Sequence, residues 1–338
     1  MAATAQLTAF FKKRYTAREG KSMHPFRVMV FKEVSDHVRS WRFIILGALM
    51  VLTCMGALYT SITNLSAAAA KPDDPDSAFF FLKLFTVSDG TLPPFFVFIT
   101  FLGPLIGISL GFDAINAEQN GRTLSRIMAQ PIHRDYLINA KFTAALIIIS
   151  VMFFALTLLV IGCGLLMIGI PPSPEEFLRI LSFLALSILY VAFWLSLSIL
   201  FSVRFRQAAT SALTAIAVWL FFSVFYQIII NLLAKSFIPP EGMAPPEQII
   251  RSQKLVLGLS RLMPGQLFSD ATTTLLRPSV RSLGPLTMTQ VYGAIPSPLP
   301  LGQSLLLVWP QLTGLIAATA LCFAISYVLF MRREIRSR

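Results

Sequence analysis

The chain has 338 residues, 55% of them hydrophobic and 13% charged, where an ordinary soluble domain carries about a quarter charged residues. That balance excludes a soluble globular enzyme and makes an integral membrane protein the first reading. The formal net charge of +12 would suit a nucleic-acid binder, but the basic residues sit in loops between apolar runs, and no nucleic-acid partner is expected.

Residues 1–24 are polar and basic without apolar periodicity, and read as a flexible arm. Between 25 and 42, Phe26, Val30, Val34, Val38 and Trp41 recur at helical spacing, with Lys32, Glu33, Asp36 and Arg39 mainly on the remaining surface. This predicts an amphipathic elbow helix lying in the membrane interface. Residues 43–338 read as one transmembrane domain. Its apolar runs at 43–62, 94–115, 142–170, 180–203, 208–234 and 302–331 each match the ~20 helical residues that cross a ~30 Å hydrocarbon core. They are continuous rather than alternating, so helices are predicted and a barrel is not. No cleavable signal is evident, because the first run starts beyond residue 40 and is long enough to span. Pro310 makes a kink or restart in the sixth run the expectation. Cys54, Cys163 and Cys322 all fall inside runs and read as small buried residues, neither disulfides nor metal ligands.

Charge orients the chain. Lys and Arg number nine in residues 1–42, four in 116–141, two at Arg204 and Arg206 and four after Met331, so 19 lie on one side and nine on the other; the acids divide seven and nine. Basic loops stay in the cytoplasm, which places both termini inside. Attraction to anionic headgroups accounts for the rest of the charge, with membrane lipids as partners.

On the outer side, the loop 63–94 carries "SAFFFLKLF", too short to span, and 171–179 is a tight connection. The segment 235–301 is the largest external feature. It opens and closes on Pro-rich stretches, with a helical part interrupted near Pro264-Gly265 whose Ile250, Leu255, Leu259 and Leu262 are expected to rest on the membrane domain.

Inside the spans, Gly103, Gly107 and Gly111 form a GxxxGxxxG face in the second, and Ala208, Ser211, Ala212 and Ala215 a comparable face in the fifth. Such faces allow close backbone approach, either within one subunit or across a dimer axis. Tyr190, Trp194, Ser196 and Ser198 in the fourth span and Tyr226, Gln227 and Asn231 in the fifth could line a pathway; interhelical hydrogen bonds account for them equally well. Asp113 is the one acid in a span, near its cytoplasmic end. Secondary carriers place titratable groups at midplane, and that class is disfavoured.

The cytoplasmic stretch "AINAEQNGRTLSRIMAQPIHRDYLINAK", residues 114–141, interrupts this apolar chain. Glu118 and Arg122 are four apart and would pair on a helix. Leu124, Ile127 and Met128 form one apolar face. Pro131 stops the helix, since the residue before proline avoids α geometry, and Lys141 marks re-entry to the membrane. A short helix with an apolar knob and a charged flank is shaped to sit in a partner's groove.

The run Glu118, Gly121, Thr123, Leu124, "QPIHR" and Lys141 resembles the pattern that follows the second span in the ABC transporter type-2 permease family. "FKEVSDHVRSWRF" resembles that family's elbow helix, and the six spans with a large external loop before the last fit it too. The chain looks closest to the branch that includes the permease associated with copper-enzyme maturation. It departs from the pattern where Arg122 separates Gly121 from Thr123, and where Asn139-Ala140 replaces a glycine before Lys141. The resemblance implies a coupling helix over 118–131 that docks on a separate cytoplasmic ATPase, which would bind the ATP and Mg, and a second copy of the chain or a related permease alongside.

The sequence contains no GxxxxGK[ST], and no GxSxG, HExxH or paired acids within a span. The chain is therefore expected to be neither an ATPase nor a hydrolase and to hold no metal or cofactor. The expectation is an all-α permease subunit in the inner membrane, exporting its substrate. A non-transporting scaffold of the same fold is the alternative.

Overall fold

The computed structural model describes residues 24–69, 79–88, 90–130, 132–169, 171–237, 246–284 and 298–333. The basic arm, apart from His24, and Pro131 lie outside them. The described residues hold helices and no strand.

Helix α1 spans Pro25–Val38, started by the fixed φ of Pro25 at its first position and by His24, whose ring accepts from the Phe26 N–H. The chain breaks at Ser40, whose hydroxyl donates to His37 O and accepts from Phe43 N–H. The first span, α2, follows at once (Trp41–Ala69). A short helix, α3 (Phe80–Thr86), precedes the second span, α4 (Phe95–Gly111). Two very short helices, α5 (Asn116–Asn120) and α6 (Thr123–Met128), lead to the third span, α7 (Arg134–Ile168), which stops at Gly169 in the left-handed region. The fourth span, α8 (Pro174–Arg204), opens with Pro174 and a reciprocal capping box between Ser173 and Glu176. The fifth is α9 (Ala208–Leu220), a π turn at Phe221–Phe225, and α10 (Tyr226–Phe237). Helices α11 (Pro246–Ser260) and α12 (Pro264–Leu276) precede the sixth, α13 (Leu301–Arg332). All six expected spans are present as helices long and apolar enough to cross a membrane. The third begins eight residues before its apolar run, and the sixth continues as one helix through Pro310 rather than restarting.

Span 4 is the centre. Of its apolar window 67% is buried, against 17% in spans 5 and 6, which therefore stand at the periphery. The glycine face of α4 lies on α8: a Cβ at Gly107 would meet Val191 O at 2.7 Å, and one at Gly111 would meet Leu195 O at 3.0 Å. Of the two uses open to that face, the structure shows packing within the chain, and a second copy has no room there. Pro104 interrupts the same helix. Proline supplies no N–H for the carbonyl four residues back, and the Tyr190 hydroxyl of α8 donates to that carbonyl, Thr100 O, at 2.9 Å. Ser198 likewise donates to Ile108 O at 3.0 Å. On α9, Ser211, Ala215 and Trp219 turn inward at steps of four while Leu213, Ile216 and Leu220 face out; Ala208 and Ala212 are half-buried.

On the face away from the basic loops α3 is packed, with Phe81, Leu82, Leu84 and Phe85 buried. α12 inserts Phe268, stacked on Tyr190 at 4.6 Å, beside buried Ala271 and Leu275. The external stripe expected to rest on the spans does not: Leu255 and Leu262 are exposed, and α11 touches the bundle through α10, where Tyr226 donates to Leu259 O. The apolar contact is made by α12 instead.

Candidate functional site: the segment between spans 2 and 3

The segment hangs from span 4. Ser202 of α8 accepts from the N–H groups of Ile115 and Asn116 at 2.9 and 3.3 Å and donates to the Asn116 side-chain carbonyl. The end of α4 and the start of α5 are thus held by one buried hydroxyl. The chain then turns sharply. Gly121 ends α5, and Arg122 adopts a left-handed φ of 54° before α6 begins.

That turn overturns two expectations. Residues 118–131 do not form one helix, and Glu118 and Arg122 do not pair, because the break removes them from a common helical face. Arg122 is exposed, and among the described residues its side chain has no ion-pair partner. Glu118 instead faces inward, where its carboxylate accepts from the Thr123 hydroxyl and from Lys141 Nζ at 3.3 Å. Lys141, at the start of span 3, also donates to Glu33 of α1 at 2.9 Å. Lys32 completes the cluster, 3.0 Å from Glu33, 3.3 Å from Asp36 and 3.6 Å from Glu118. The Lys141 and Glu33 side chains are only 8% and 9% exposed. Burial alone would raise the Glu33 carboxyl, but Lys141 and Lys32 outweigh it and hold it below the usual carboxylate range. Burial would likewise lower Lys32; its hydrogen bond to Glu33 and the charges of Glu33 and Glu118 carry it above the usual lysine range. Burial keeps His37, on the same cluster, below the ordinary imidazole value. A second pair, Arg42–Asp113 at 2.7 Å, joins the start of span 1 to the end of span 2.

Glu33 is the residue that sequence reading misplaced. It was assigned to the polar surface, yet it follows buried Val30 by three positions and precedes half-buried His37 by four, one helical face. That face seats α1 on Ala140 and Ala144 of α7, with Phe26, Met29 and Val34 around it.

The apolar face of α6 also needs correction. Leu124 is 5% exposed and belongs to the transmembrane core, with Ile127 and Met128 packed half-buried against it. These residues anchor the segment rather than present a free knob. Its outward surface is Arg122, Ser125, Arg126, Ala129 and Gln130. Gly121 closes the turn, its N–H donating to Ala117 O. Pro131 lies outside the described residues.

Of the residues proposed to line a pathway, two come together. Tyr190 and Trp194 border a cavity of about 270 Å³ with Thr100, Phe101, Phe222 and Gln266. The π turn, which sequence reading did not foresee, brings Phe222 to this wall. Tyr226, Gln227 and Asn231 lie beyond it; Gln227 Nε2 donates to the Asn231 carbonyl oxygen at 3.3 Å.

Comparison with known proteins identifies relatives of the chain. The family described as ABC-2 family transporter protein matches residues 28–335. The probable ABC transporter permease protein NosY of Pseudomonas aeruginosa is 27% identical over 201 residues, which cover 58% of this chain and 66% of that protein. The protein of the same name from Stutzerimonas stutzeri is 28% identical over 221 residues, 64% of this chain and 72% of its own length.

Proposed function

The chain belongs to the ABC-2 family of transporter proteins, and on that premise we propose that it is the membrane-spanning permease subunit of an ATP-driven transporter that exports its substrate. The chain is a multi-pass membrane protein. In this reading it sits in the plasma membrane with both termini in the cytoplasm, as its basic loops favour. It hydrolyses nothing itself. A separate cytoplasmic ATPase binds ATP and Mg and docks on the segment between spans 2 and 3, and two permeases pair in the complex. The resemblance to type-2 permeases and the names of the two relatives support an ABC partner and a pathway across the membrane.

One observation carries the coupling role. The segment is polar and exposed on its outer surface while its inner surface is fixed at four points: Leu124 in the core, Ser202 on span 4, Lys141 on span 3 and Lys32 on α1. A push on the outer surface cannot be absorbed locally and passes to the spans. Docking therefore rests on Arg126, Ser125, Ala129 and Gln130, with Ile127 and Met128 at the rim and Glu118, Gly121 and Thr123 holding the turn.

The test is to co-express the permease with its ATPase carrying Arg126→Glu and Ala129→Trp together, both on the exposed face. Assembly should fall at least tenfold and ATP-driven transport in liposomes should be lost, while the permease alone keeps its unfolding temperature. Full assembly with normal ATP turnover would remove the segment as the docking site.

A further inference from the structure

Away from the docking segment, the same basic face carries a cavity of about 520 Å³ lined by Val203, Arg204, Phe205, Arg206, Leu329 and Arg333. It lies where α8 ends, α9 has yet to start and α13 finishes. Three guanidinium groups line it, and among the described residues no carboxylate does. Among the described residues none of the three is in an ion pair. Arg333 is half-buried and fixed, its Nη1 donating to Val203 O at 2.6 Å, while its own carbonyl accepts from Arg134 Nη2 at 2.8 Å. Arg204 and Arg206 are exposed at the rim. Burial, and then the like charges of Arg206 and Arg204, pull Arg333 below the ordinary arginine range. Uncompensated like charges held together are relieved by an anion, and guanidinium forks suit phosphate oxygens.

The wall of the cavity says which anion. Leu329 belongs both to the lining and to an exposed apolar stripe of α13 that continues through Ile325 to Leu321 into the membrane-spanning part. A phosphate-bearing solute or an acidic protein segment has no use for that stripe. A phospholipid uses both halves at once.

We propose that this cavity is a binding site for an anionic phospholipid of the leaflet it faces, with the phosphate headgroup between Arg204, Arg206 and Arg333 and an acyl chain along Leu329, Ile325 and Leu321. The site depends on the chain spanning the membrane and not on where an ATPase docks. It joins the ends of spans 4 and 6, so the lipid bridges the central helix to a peripheral one.

The probe is phosphatidylglycerol added to the purified full-length chain in detergent, with retention read by native mass spectrometry against phosphatidylcholine. Wild type should retain phosphatidylglycerol about tenfold better. Arg206→Gln removes one charge at the rim and no intramolecular bond among the described residues, and should weaken retention roughly fivefold, the effect of one basic residue at an anionic surface. Ile325→Asn should weaken it as well, through the acyl wall alone. Three results overturn the proposal. Equal retention of both lipids is one. Full displacement of phosphatidylglycerol by millimolar inorganic phosphate would make this a free-anion site. Unchanged lipid retention in Arg206→Gln with loss of ATPase assembly would make it a contact for an acidic partner.

Discussion

Lys141 is the residue on which the basic face turns. It is the last charged group of span 3 before the apolar run and meets two carboxylates, Glu33 from α1 and Glu118 from the segment between spans 2 and 3. A charge at 8% exposure is tolerable only because both partners are within hydrogen-bond reach, since an unpaired buried charge costs several kcal/mol. Removing the lysine leaves the two carboxylates to Lys32 alone, a half-exposed cation at the edge of the cluster. Lys141→Met should lower stability by about 3–5 kcal/mol, the cost of breaking a buried pair. Glu33→Met combined with Lys141→Met should recover part of that loss, because the isolated charge at Glu33 is gone and α1 still packs on Ala140 and Ala144. Chemical unfolding of the four proteins of this cycle in detergent measures the coupling. Strict additivity would mean that the two side chains do not interact in solution. Arg122 makes the converse point: a left-handed φ costs a non-glycine residue on the order of 1 kcal/mol, yet the turn is kept. The inward aim of Glu118 depends on it.

At the scale of elements, most of what sequence periodicity can express was legible. Six long apolar runs became six helices, because in hydrocarbon a helix is the one form in which a segment satisfies its backbone polar groups within itself. The α1 helix was legible from its valine repeat, and the break before α12 from Pro264-Gly265. What could not be read is where partners come from elsewhere in the chain. Glu118 and Arg122 satisfy a helical pairing rule, but nothing local announces that Lys141, 23 residues on, competes for the same carboxylate. Leu124 reads as an apolar knob whether a partner or the chain's own core receives it. The π turn at Phe221–Phe225 has no local signature, and the α11 stripe failed because a helical pattern does not say which neighbour it meets. The glycine face left two readings open, and the distances to α8 decide between them. Prediction follows from those distances. Gly107→Ala drives its methyl against the Val191 carbonyl, a backbone atom that cannot rotate away, whereas at Gly103 the nearest atom is the Val191 Cγ2 methyl at 3.0 Å. Gly107→Ala should therefore cost about 1–3 kcal/mol, as overpacking does, and Gly103→Ala clearly less. Unfolding temperatures of the two variants test this ordering, and equal values would mean that α4 and α8 are less closely apposed than the structure has them.

The whole molecule is a strut with two differently fastened ends. Span 4 reaches the basic face through Ser202 and the opposite face through Arg179, which is fully buried. Arg179 donates to Leu275 O at the end of α12, to Ser304 at the start of span 6, to Leu299 O in the returning stretch, and to Glu175 one turn back. Glu176 beside it caps span 4 and accepts the Phe81 N–H of α3. One helix end thus gathers the external pieces by their backbones, with an ion pair as the fixing point. The two ends should fail separately. Arg179→Leu keeps the bulk but leaves buried carbonyls without donors, each worth about 1–3 kcal/mol, so the external segment should loosen. Limited proteolysis within 246–284 should accelerate, and the unfolding temperature should drop. On the proposed coupling role, assembly with the ATPase should remain intact, since the contacts of the segment between spans 2 and 3 lie at the opposite end of the strut. Lys141→Met should show the reverse, disturbing assembly without exposing the external segment to protease. If Arg179→Leu also abolished assembly, the two faces would be coupled through span 4 even at rest, and a stroke delivered at the inner face would already be felt at the outer one through this helix alone.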